Sequence, residues 1–149
     1  MQWIFLFIVS WIIFFLFIDY KQLKINIWCG FFAILLQLSV DTKAMIYELY
    51  IVNSHIINLW GSSLLFVLGP VLTMGTLLSQ YYPKKRFMRI ISVFAFTALY
   101  TTQEVLLLYS GALGYLKWNI FDSIVVNTIV MAVLGWFSIV VLDKKGEVL

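Results

Sequence analysis

From Met88 to Tyr109 the chain runs through an apolar stretch long enough to cross a bilayer, and Glu104 lies inside it. A hydrocarbon core of about 30 Å takes ~20 mostly apolar helical residues. An ionisable side chain there is costly and is normally held against protein or a wet cavity rather than lipid. A chain of this kind must therefore pack other helices around Glu104.

Composition places the whole chain in the same class. Of 149 residues, 63% are hydrophobic and only 11% charged, against about a quarter charged in soluble domains. A soluble fold would lack the polar surface to cover its core, so the expected class is an all-α integral membrane bundle forming a single domain over 1–149. The net charge of +3 comes from short loop clusters and gives no nucleic-acid signal. Cys29 is the only cysteine and His55 the only histidine, so neither a metal centre nor a cofactor is expected.

Five transmembrane helices are expected, over about 2–18, 25–46, 57–79, 88–109 and 120–142, with backbone polar groups satisfied within each helix. The first lacks a basic leader and a cleavage site, so it is read as a retained span rather than a signal peptide. Lys21, Lys24, Lys84, Lys85, Arg86, Arg89, Lys144 and Lys145 fall on one side and only Lys43 and Lys117 on the other. By the positive-inside rule the N-terminus is outside and the C-terminus inside. Trp3, Tyr50, Tyr115 and Trp118 are read as part of an interfacial aromatic belt. No internal repeat is visible along the chain.

Thr97, Tyr100, Thr101 and Glu104 recur at helical spacing. Counting depth at ~1.5 Å per residue puts Gln37, Asp41 and Asn127 at a similar outer level. Two readings of this polar layer stay open. Glu104, Asn127, Thr101, Tyr100, Asp41 and Gln37 bind a proton, cation or small polar solute, or they are interhelical glue, with Glu104 bonded to Asn127, a threonine or Lys43. Pro70 falls within the third span and is expected to kink it, with Thr73 and Thr76 meeting freed carbonyls. Lys84, Lys85, Arg86 and Arg89 are candidate anionic-lipid contacts, although topology already accounts for them. Gly30, Ala33, Ala95, Ala98, Ala132 and Gly135 are small enough for close helix approach. The chain carries no HExxH, GxSxG or phosphate-loop motif, so an enzyme is not expected. An outer-face site joining His55, Asp41 and Asp122 is the one catalytic alternative.

Tyr81-Tyr82-Pro83-Lys84-Lys85-Arg86, Leu99-Tyr100-Thr101 followed by Glu104, then Gly111, Tyr115, Trp118-Asn119 and Ser123 carry a resemblance. Over about 57–142 the chain resembles a family of small multi-pass membrane proteins of spore-forming Gram-positive bacteria. Asp19, Lys21 and Asp41 extend it more loosely. Leu116-Lys117 departs from the family's glycine- or asparagine-rich outer loop. The resemblance implies a plasma-membrane helical bundle linked to sporulating cells and supplies no mechanism. The expected role is a binding or permeation component in the cell membrane. Five short helices suggest that it works as a homo-oligomer or with a partner membrane protein. The alternative is a structural subunit of a membrane complex.

Overall fold

The computed structural model describes residues 1–53 and 56–142. His55, Lys144 and Lys145, all used above, lie outside the described residues. The chain is mostly helical: α1 (Gln2–Phe17), α2 (Leu23–Ile46), α3 (Leu64–Gln80), α4 (Arg86–Tyr109) and α5 (Ile120–Val140). α2, α4 and α5 are long and apolar enough to cross a membrane. α1, at 16 residues, reaches about 24 Å at ~1.5 Å per residue, short of a full hydrocarbon core. Large apolar side chains, among them Phe5, Phe94, Leu106, Phe121 and Ile129, remain exposed on the outside of the bundle.

The all-α expectation omits two small sheets. Tyr50–Val52 (β1) pairs antiparallel with Leu113–Tyr115 (β4), and Asn58–Leu59 (β2) with Ser62–Ser63 (β3). The second pair occupies residues expected inside the third span. Trp60 and Gly61 both take positive φ, 49° and 88°, the hairpin turn that matches strand twist, and Asn58 Oδ1 accepts the Gly61 N–H at 3.0 Å. Hydropathy alone does not separate such an apolar hairpin from the start of a helix.

The topology contains a repeat that the sequence conceals. α2 and α4 are both 24 residues long, and Leu23 corresponds to Arg86 and Ile46 to Tyr109, 63 residues apart. Each helix ends in a Schellman turn, in which the two amides past the cap return to the last helical turn. Leu49 N donates to Ala44 O at 2.9 Å, and Ala112 N to Leu107 O at 3.1 Å. The left-handed residue is Glu48 in one unit and Gly111 in the other, with φ 52° and 76°. The strands that follow pair with each other symmetrically about Ile51 and Gly114. Asp41 and Glu104 are equivalent positions in this scheme, as are Gln37 and Tyr100. Few side chains match at this offset: Ile27 with Ile90, Phe31 with Phe94, Leu36 with Leu99.

Each unit is completed by a further helix, α3 or α5. Asn119 caps α5, accepting the N–H groups of Phe121 and Asp122 while Asp122 accepts its own, a reciprocal capping box. Pro70 lies in a π-helical turn, Val67–Val71, so α3 is not evenly bonded there. Proline has no N–H to donate, and Thr73 Oγ1 donates to Gly69 O at 2.8 Å. Ser79 Oγ joins Asn26 Oδ1 at 3.0 Å and Ser138 Oγ at 2.9 Å, a buried polar link among α2, α3 and α5.

Of the small residues expected at helix contacts, Gly30, Ala33 and Gly135 are buried, whereas Ala95, Ala98 and Ala132 face outward. Their faces meet no neighbouring helix, so small size is unused there. Between α2 and α3 the fit is close: a Cβ on Gly75 would lie 2.7 Å from Ala33 Cβ and 3.0 Å from Gly30 Cα. Gly75→Ala should therefore lower stability by about 1–3 kcal/mol, the usual cost of overpacking. Unfolding in detergent or bicelles measures this, and an unchanged midpoint would contradict the α2–α3 contact.

Candidate functional site

Gln37, Asp41, Tyr100, Glu104 and Asn127, expected at one level, do converge, on a cavity of about 80 Å³ lined by residues of all five helices and of β1, β3 and β4. Asp41 and Glu104 both line it. Each lies five residues before the end of its helix, about 8 Å along the axis at ~1.5 Å per residue. At the repeat axis Tyr100 OH donates to Gln37 Oε1 at 2.7 Å, linking the two helices across the cavity.

Glu104 accepts three donors. Tyr115 OH and Ser123 Oγ reach Oε1, each at 2.6 Å. Asn127 Nδ2 reaches Oε2 at 3.2 Å and also donates to Thr101 Oγ1 at 3.2 Å. Trp118 Nε1 donates to Ser123 Oγ at 2.6 Å and fixes that hydroxyl. Asp41, only 4% exposed, accepts Tyr50 OH at 2.5 Å and Gln37 Nε2 at 2.9 Å, both on Oδ1. Among the described residues lining the cavity there is no Lys, Arg or His. Lys43, one expected partner of Glu104, is exposed. The ion pair found among the described residues, Lys117 with Glu48 at 3.8 Å, lies on the surface.

All six expected residues thus belong to one constellation: Glu104, Asn127 and Thr101 in one network, Asp41, Gln37 and Tyr100 in the other. Thr97 does not join them. It is buried with its hydroxyl unpaired. Sequence reading missed Tyr50, Tyr115 and Trp118 as site residues and assigned them to the belt. Trp3 also turns inward, 2% exposed, with Nε1 donating to Asn53 O at 3.0 Å. The signal present in the sequence was a tyrosine a short loop beyond each carboxyl, at positions 50 and 115. The outer-face reading that joined His55 to Asp41 and Asp122 falls partly outside the described residues. Asp122 itself is engaged in the α5 cap.

The basic cluster lies at the opposite end. Lys84 and Lys85 border a groove with Phe17, Asp19, Tyr81 and Tyr82. Arg86 is exposed, and Arg89 Nε donates to Pro83 O at 3.0 Å, bracing the loop.

No protein-family model matches the chain, and no curated protein or solved structure is significantly similar to it.

Burial pushes the Tyr50 hydroxyl well above its ordinary 10.0, and the neighbouring Asp41 adds to the effect. For Tyr115 burial again acts first, then the hydrogen bond to Glu104. The folded protein keeps protons that the unfolded chain releases, so this stabilisation is complete below pH ~10 and is lost as pH rises beyond it. Tyr50→Phe should lower stability at neutral pH by about 1 kcal/mol, typical of one hydrogen bond, and flatten the alkaline loss. Thermal midpoints from about pH 8 to 11 read the difference. Parallel curves for the two proteins would refute the Tyr50 assignment.

Proposed function

We propose that this is a five-span membrane protein, N-terminus outside and C-terminus inside, whose cavity near the outer face binds a proton, a cation or a small polar solute. The cell membrane is its proposed location, and the resemblance in its second half adds that of a spore-forming bacterium.

α1 and α3 are included as spans because their ends reach both ends of the bundle. Gln2 Nε2 donates to Ser110 O at 3.1 Å, beside the end of α4. Phe17 O accepts Gln80 Nε2 at 2.9 Å and Tyr81 OH at 2.7 Å, just before α4 begins. These contacts tie the two ends of α1 to the segments that flank α4, which supports reading it as a span. Cysteine labelling in intact cells tests the orientation, since the native Cys29 is buried. Trp60→Cys should label from outside and Lys85→Cys only after permeabilisation. The reverse pattern would overturn the topology.

The observation that carries the functional reading is two carboxyls on one cavity with no basic side chain among its described lining residues. Buried charge requires compensation, which a bound proton or cation supplies. Equivalent groups from two parallel repeats meeting at a cavity are also how several transporter folds build a site. The alternative, interhelical glue, draws support from Glu104, whose three donors all come from the protein itself.

Glu104→Gln separates the readings. An amide retains hydrogen bonding but does not titrate. Under the binding reading the variant folds, with a melting midpoint near wild type, and fails to complement a deletion strain. A stable variant that complements fully would refute that reading in favour of glue.

A further inference from the structure

We propose that the ligand of this cavity is a small alkylammonium ion, one protonated amine carrying a short apolar tail. The proposal rests on the reading of the cavity as a cation site. It is carried by three further features: the aromatic rings, the nature of the remaining wall, and the way the carboxyl oxygens are already used.

An aromatic pair and an aromatic trio line the cavity with the carboxyls. Tyr50 and Trp118 meet edge to face with centroids 5.8 Å apart. Phe66 lies 5.9 Å from Trp3 and 6.1 Å from Tyr100, and all five rings line the cavity. Ring faces attract alkylammonium groups, more strongly where water is excluded. The rest of the wall is largely aliphatic and thioether, including Val71, Met74, Leu107 and Met131. Such a wall suits a hydrocarbon tail, and its polar members, Gln37, Ser62, Ser123 and Asn127, are neutral.

A metal ion would also need more oxygen than remains. Calcium takes six to eight oxygen ligands and magnesium a near-ideal octahedron. Here Asp41 Oδ1 and Glu104 Oε1 each already accept two hydrogen bonds. An ammonium needs only a few acceptors for its N–H groups, and the carboxyls of Asp41 and Glu104, which both line the cavity, can supply them. Size agrees: the cavity of about 80 Å³ has room for a small organic ion. Methylammonium and ethylammonium are the smallest members of this class and serve as the probes.

The test uses the full chain in detergent, followed by its thermal midpoint and tryptophan fluorescence, because Trp3 and Trp118 line the cavity. Chlorides of methylammonium, ethylammonium, sodium, potassium and calcium are titrated at matched ionic strength. The expected result is a saturable rise in midpoint with the two alkylammonium ions, accompanied by a fluorescence change. Sodium, potassium and calcium should not reproduce it. Asp41→Asn and Glu104→Gln should each weaken the apparent affinity about tenfold or more, the scale of a lost charge-assisted hydrogen bond. An equal or stronger response to a metal cation would overturn the alkylammonium proposal and leave a cation site. No response to any salt, with a pH dependence of stability that Glu104→Gln abolishes, would overturn it in favour of a proton alone. No salt response and no pH difference between wild type and Glu104→Gln would overturn both this proposal and the binding reading. The wild-type comparison of salts decides the ligand class even if a variant fails to fold.

Discussion

Tyr50 and Tyr115 face each other across the β1–β4 pair, and each donates its hydroxyl to the carboxyl carried by the helix before it. This cross-strand pair depends on two identical helix endings. α2 and α4 must stop at the same height and turn the same way for β1 and β4 to meet in register. The Schellman turns at Glu48 and Gly111 supply that, returning orphan amides to the last turn of each helix. The strands in turn satisfy backbone groups that would otherwise be left unpaired at the mouth of an apolar bundle. Remove the pairing, and both carboxyls lose a donor while the cavity loses part of its lining.

The repeat explains why the cavity is acidic. One carboxyl in an apolar bundle can be answered by its neighbours. A doubled unit brings a second, equivalent carboxyl to the same space, and no basic residue accompanies either one among the described lining. Gln37 and Tyr100, which are themselves equivalent positions, bond to each other and hold the two halves at a fixed separation. The serines Ser79 and Ser138 do the same at the far end, where the link with Asn26 is buried and no carboxyl takes part. One end of the bundle thus has the character of polar glue. The other combines hydrogen bonds with a cavity and two carboxyls.

Helices and their approximate limits were legible because apolar runs bounded by charge leave little choice in a membrane. The level shared by Glu104, Asn127, Asp41 and Gln37 was legible too, since depth follows from counting along a helix. The hairpin at Asn58–Ser63 was not, because an apolar turn and an apolar helix share one hydropathy. The repeat was also hidden. Residues at equivalent positions are rarely alike, and what is conserved between α2 and α4 is length, capping geometry and a single acidic position.

The sequence by itself determined that this chain forms apolar helices, that charged loops separate them, and that two carboxyls lie toward the same end of the bundle. Those follow from local composition and periodicity along the chain. Only the tertiary structure decided that Tyr50, Tyr115, Trp118 and Trp3 turn inward rather than toward the membrane surface, and that Asp41 and Glu104 share one cavity. Which way an aromatic ring faces, and what meets it, depends on the pairing of segments 63 residues apart. Hydropathy counts how much apolar surface a segment has, and it is silent on which other segment will cover it.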